Sequence, residues 1–222
     1  MESEVGHIVT VASGKGGCSK TSLVTLLSGN LAAAGYRVAV IDADPNASYH
    51  QWHQLYEGPE INCFCEIRHE EIVDAAQGRA ESYDVVLIDT AGFGNTTAAF
   101  AAGTADLVLI PIMPDRASAV EAMRTARQVQ AFGKAGRREI PFRIVRSRWN
   151  PRGLVERAVG ADLTEAGLPL IEQHLSDLSD FGKLSLTGKV PTSGKVGEQA
   201  MGIIKEMIGL GAVPAAPAKV AA

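Results

Sequence analysis

The chain has 222 residues, 46% hydrophobic and 21% charged, which is the make-up of an ordinary globular protein long enough for one sizeable core. A net charge of −4 gives no chain-wide attraction to nucleic acid, so any such binding needs a local patch. Three cysteines without a secretory leader pattern point to a reducing cytoplasm, and no apolar run reaches the ~18–20 residues of a membrane span.

The first element is an apolar run, Ile8–Ala12, read as a strand. Ser13-Gly14-Lys15-Gly16-Gly17-Cys18-Ser19-Lys20-Thr21-Ser22 follows and opens a helical pattern from Leu23 to Leu31. Strand, glycine-rich loop and Lys-Thr at a helix start form the layout of a phosphate-binding loop. Glycines let backbone N–H groups turn inward as an anion nest, and the helix start adds its positive dipole end. Lys20 would reach the β- and γ-phosphates, and the Thr21 hydroxyl would bind Mg²⁺. Lys15 sits too early to copy Lys20, and Ser19 replaces the usual last glycine.

Further runs follow at strand length. Arg37–Ile41 ends at Asp42-Ala43-Asp44-Pro45, and Ile61–Cys65 precedes a helical stretch near Glu70–Ala80. Val85–Ile88 ends at Asp89-Thr90-Ala91-Gly92, and Leu107–Ile110 leads to Pro111. A helix is expected over Ala117–Phe132, then a strand over Phe142–Val145. Three helical patterns complete the chain, at Leu154–Ala166, Asp177–Leu186 and Val196–Leu210. Continuous Val/Ile/Leu runs suit strands buried on both faces, and their alternation with helices predicts an α/β fold, a single doubly wound, mostly parallel sheet. Ligands in such folds sit beyond the carboxyl ends of the strands, where the loop, Asp42, Asp44 and Asp89 all fall. Residues 1–211 are read as one domain built around the phosphate loop and 212–222 as a low-complexity, disordered tail.

The Lys-Gly-Gly-x-x-Lys-Thr pattern resembles the deviant Walker A motif of the ParA/MinD ATPases, the short ParA type most of all. The resemblance implies ATP and Mg²⁺ as cofactors and an ATP-sandwich homodimer in which Lys15 contacts the partner's nucleotide. It makes Lys15, Lys20 and Asp44 catalytic, with Asp44 matching the second aspartate of a D-x-D-P segment. Gly14, Lys15, Gly16, Gly17, Cys18, Ser19, Lys20, Thr21 and Ser22 would cradle the phosphates. Thr21, Asp42 and Asp89 would serve the metal, with Asp89 at the end of a Walker B-like strand. By position Asn150 resembles the residue that hydrogen-bonds adenine, and an amide offers both a donor and an acceptor; an Asn-Pro turn is the plainer alternative.

The same resemblance implies a nucleoid-associated switch that binds DNA without sequence preference. Such a switch partitions a plasmid, chromosome region or protein cargo, with slow hydrolysis stimulated by a ParB-like or other small partner protein. Lys134, Arg137, Arg138, Arg143, Arg146, Arg148 and Arg152, with Lys183, Lys189, Lys195 and Lys205, are the basic candidates for DNA. A MinD-like membrane-associated regulator is the alternative, but it needs a basic amphipathic C-terminal helix, and the last helix carries Lys205 beside Glu198 and Glu206. A cluster-bearing relative of the nitrogenase iron protein would need a better cysteine pair than Cys63-x-Cys65.

Overall fold

A computed structural model describes residues 5–92, 94–177 and 180–217. Its centre is a six-stranded sheet in the order β3-β2-β4-β1-β5-β6, with every pairing parallel. In chain order the strands are β1 (His7–Ser13), β2 (Val38–Ala43), β3 (Ile61–Cys65), β4 (Val85–Gly92), β5 (Leu107–Ile112) and β6 (Phe142–Arg146). The helices are α1 (Lys20–Ala33), α2 (Ser48–His53), α3 (Ile72–Ala80), α4 (Thr96–Thr104), α5 (Arg116–Ala135), α6 (Leu154–Glu165), α7 (Asp180–Thr187) and α8 (Gly194–Gly209).

Period-two alternation splits each strand between two cores. Ile8, Ala39, Ile41, Val86, Ile88, Val108 and Ile110 face the layer that includes α3 to α6. Val9, Val11, Val38, Val40, Val85, Leu87, Leu107 and Leu109 face the layer of α1, α2 and α8. Both faces are covered, which is why the runs read as continuous rather than alternating. The chain leaves β1 toward β2 and β4 on one side and returns to β5 and β6 on the other. β1 is therefore the switch point, and the loop after it opens onto the crevice.

Several expected boundaries move. β4 runs through Asp89 to Gly92, because β1 accompanies it past a register shift as far as Ser13 opposite Gly92. Ala91 suits this continuation, since a proline there would remove a backbone donor and fix φ. Gly92 thus ends the strand rather than opening a loop; Phe93 lies outside the described residues. Helix α2 was not legible: six residues are too few for a periodic signal, and its inner face rests on Tyr49 and Trp52. The tail does not begin at residue 212. Ala212 and Val213 are buried with the α1–α8 core, and the Tyr36 hydroxyl donates to Pro214 O at 2.8 Å. Only 218–222 of the expected tail falls outside the described residues.

Candidate functional site

The phosphate loop is shaped from below by helix α5. Gly14 N–H donates to Thr125 Oγ1 at 3.2 Å, and a Cβ on Gly14 would collide with the Glu121 side chain. Gly16 and Gly17 are exposed, with open space where a Cβ would stand, and Gly17 has φ 74°. Ser19 closes the loop at φ 72°, ψ 26°, a left-handed conformation that glycine adopts freely and serine at a cost of about 1 kcal/mol. This left-handed conformation accounts for the usual glycine here. Ser19 Oγ reaches Met113 Sδ at 3.6 Å and caps nothing on α1. The first-turn N–H groups of α1 thus have no side-chain cap, as an anion site needs.

The two lysines have separate partners. Lys20 Nζ donates to Lys15 O at 3.3 Å, across the mouth of the loop, and Cys18 Sγ donates to the same carbonyl at 3.1 Å. Lys15 Nζ turns outward to Asp115, at 2.8 and 3.0 Å to its two oxygens, and to Ser118 Oγ at 3.1 Å. Asp115 caps α5 through the Ser118 amide. Cys18 is buried at 1% exposure, out of contact with solvent.

Three carboxylates line the strand ends, and the structure distinguishes them. Asp89 is fully buried at 0% exposure, and neither carboxylate oxygen has a partner within hydrogen-bond geometry. Burial pushes its pKa up to about 7; the Thr21 hydroxyl and Lys20 pull it down, and Asp42 and Asp44 push it further up. An orphaned, buried carboxylate beside a threonine hydroxyl and a lysine fits a divalent cation. Asp42 lies opposite Asp89 on the neighbouring strand. Its oxygens accept from His50 N at 2.8 Å and Asp44 N at 3.1 Å, so it folds the 44–50 loop. Burial raises its pKa as well. Each Asp42 oxygen accepts one backbone hydrogen bond and keeps a further lone pair, while neither Asp89 oxygen has a partner, so Asp89 is the better placed of the two for a metal. Asp44 is half-buried, and its Oδ1 accepts from the backbone and side-chain nitrogens of Asn46, both at 2.9 Å. That turn fixes the carboxylate at the mouth of the site.

Asn150 lines a cleft of about 970 Å³, with no residue of the phosphate loop in its lining, that also takes in Met113, Pro114, Trp149, Arg152 and Lys195. Met113 joins this cleft to the loop through Ser19. Asn150 Oδ1 accepts from Arg152 N at 3.1 Å, and its carbonyl from Gly153 N at 2.8 Å. The Asn-Pro turn is thus real, and it leaves the amide NH₂ as the group to offer a base. Donor and acceptor are no longer equally available, as the bare sequence implied.

The basic stretch divides. Lys134, Arg137, Arg138 and Arg143 line a concavity at the amino-terminal end of β6, away from the loop. Arg148, Arg152 and Lys195 line the cleft beside it. Arg146 drops out as a DNA candidate: its guanidinium donates to Ile171 O at 3.1 Å and to Glu172 O at 2.6 Å, and lies over Trp149. By resemblance the segment Pro111–Asp115 was expected to frame the nucleotide and partner side, but sequence reasoning gave no role to Ser118, Glu121 or Thr125 and no partner to Asp115. The one available signal was the Asp115-x-x-Ser118 capping pattern at a helix start.

A parallel sheet with a phosphate loop at its switch point and an orphaned carboxylate on the adjacent strand defines a P-loop nucleotide-binding protein of ParA/MinD type. The chain superimposes on MinD of Aquifex aeolicus with a TM-score of 0.77 at 18% identity, covering 97% of this chain and 100% of that one. It superimposes on an ATP complex of McdA from Cyanothece with a TM-score of 0.74 at 17% identity, covering 99% and 100%. In sequence it is 29% identical over 180 residues to the protein ParA of Rhizobium radiobacter, 80% of this chain and 81% of that protein. The VirC1 protein family matches residues 6–194, and the chain belongs to that family of ParA/MinD-type ATPases.

Proposed function

We propose that the chain is a nucleotide-driven switch that hydrolyses Mg²⁺·ATP slowly, closes into an ATP-sandwich dimer and positions a DNA or protein cargo. The observation that carries this reading is the second loop lysine, Lys15, standing beside a complete site of Lys20, Thr21 and Asp89. Lys20 would neutralise the β- and γ-phosphates, while the loop N–H groups and the α1 dipole hold them. Thr21 and Asp89 would hold Mg²⁺, which when bound would offset phosphate charge as the γ-phosphoryl leaves. Asp44, held by Asn46, would orient the attacking water. The Asn150 NH₂ would donate to a ring nitrogen of the base.

DNA is the favoured surface partner, and a ParB-like or other small protein the favoured activator. The setting that follows is the cytoplasm, on the nucleoid. The membrane alternative loses support because the apolar face of α8 is already used: Val196, Ala200, Ile203, Ile204 and Met207 are buried in the core. Among the described residues no helix is long and apolar enough to cross a membrane. Co-sedimentation with ATP against DNA and against anionic vesicles tests the reading. Binding to DNA that falls steeply with salt is expected; ATP-dependent binding to vesicles alone would overturn it.

A further inference from the structure

Lys15 is held by its own chain, and its acceptors come from one place. Asp115 and Ser118 both belong to the first turn of α5, the helix that also supports Gly14 through Thr125. Ser118 Oγ donates to Asp115 Oδ2 at 2.8 Å and accepts from Lys15 at 3.1 Å, so the three groups form one closed set. Burial alone would raise the Asp115 carboxyl. The hydrogen bonds from Lys15 and from the Ser118 amide and hydroxyl outweigh burial and hold it at about 2. The carboxylate is therefore charged at neutral pH.

We propose that Asp115 and Ser118 form a parking site for the Lys15 ammonium, and that its release sets the concentration at which the ATP-loaded dimer forms. The proposal rests on the reading of Lys15 as a residue that serves the partner's nucleotide. A lysine serving the partner's phosphates cannot keep three contacts inside its own chain. Every protomer entering a dimer therefore gives up one parked lysine. Asp115 and Ser118 are positioning residues in this scheme, since they act through the Lys15 ammonium.

The exposure of the pair fixes the size of the effect. The Lys15 and Asp115 side chains are 36% and 42% exposed. A pair that open is worth a factor of about two to five in an equilibrium constant. Two lysines are released per dimer, so the factors multiply to about four- to 25-fold in the dimer dissociation constant. The effect shrinks with salt, because half-exposed charges are screened.

Asp115→Asn is the discriminating variant. Asparagine caps a helix as well as aspartate does, so the start of α5 survives while the charge opposite Lys15 is lost. Dimerisation is measured by sedimentation velocity with Mg²⁺ and a non-hydrolysable ATP analogue, in 50 and 500 mM KCl. Wild type, Asp115→Asn, Ser118→Ala and Lys15→Gln are compared. Asp115→Asn should dimerise at about four- to 25-fold lower concentration in 50 mM KCl, with most of the difference gone in 500 mM. Its monomer should keep the wild-type affinity for the analogue. Ser118→Ala should shift in the same direction by less, and it stands in if the Asn variant folds poorly. A merely structural role would lower the melting temperature without any salt-dependent gain in dimer. Should Asp115→Asn dimerise no more readily than wild type while Lys15→Gln fails to dimerise, the parking site is refuted and the trans-acting lysine stands. If Lys15→Gln dimerises and hydrolyses as wild type does, the trans reading fails and the parking site falls with it.

Discussion

Asp89 should act as a destabilising residue in the protein without nucleotide or metal. Its carboxyl is pushed from an ordinary value near 3.8 to about 7, first by burial. A rise of about three units is worth at most about 4 kcal/mol, at ~1.4 kcal/mol per unit. The sign follows from proton counting. Between 3.8 and about 7 the folded protein holds a proton that the unfolded chain has lost, so stability falls as pH rises through that window. Below it the group costs nothing; above it the whole penalty applies. Asp89→Asn removes the titration and leaves the shape nearly unchanged. In EDTA without nucleotide, urea unfolding from pH 4 to 8 should show the variant gaining on wild type, up to about 4 kcal/mol at the top. With Mg²⁺ and ATP the gap at the top of the range should narrow, since wild type gains about 2.7 kcal/mol at a hundred times its dissociation constant and the variant much less. A difference between the two proteins that stays flat from pH 5 to 8 would refute the reasoning, because a constant offset is what an unpartnered asparagine amide alone would give.

Lys20→Ala should abolish nucleotide binding, read by calorimetry or a fluorescent ATP analogue; unchanged affinity would disprove the loop assignment. Asp44→Ala should accumulate an ATP-bound dimer that hardly releases phosphate, visible as a shifted elution volume beside a flat phosphate assay. Wild-type turnover in that variant would move the catalytic role elsewhere. Ser19→Gly should relieve the left-handed backbone cost of about 1 kcal/mol and lose somewhat less to unfolded-chain entropy. Its melting temperature should therefore stay level or rise slightly, and a clear fall would show that the Ser19 side chain matters through Met113.

The phosphate site was legible because its chemistry is local. Gly14 to Thr21 are contiguous, and the backbone that cradles an anion is made by neighbours in sequence. The acidic strand ends could be found because each apolar run stops at its aspartate. Ranking them was another matter. Asp42 and Asp89 look alike in sequence, yet one accepts from His50 N and Asp44 N while neither oxygen of the other has a partner within hydrogen-bond geometry. That difference arises from the turn after β2, which no periodicity reveals. The basic stretch near Arg137 to Arg152 likewise reads as one patch along the chain. Folding β6 between its ends separates it into two surfaces and spends Arg146 on the carbonyls of Ile171 and Glu172.

By itself the sequence determined the class of fold, the anion nest and the presence of one lysine more than a nucleotide needs. Hydrophobic runs and glycine spacing are short-range quantities, and they survive without knowing what packs against what. Where that extra lysine rests was decided only by the tertiary structure. Asp115 lies 100 positions along the chain from Lys15, and the parallel crossover that brings α5 beneath the loop is what sets them 2.8 Å apart.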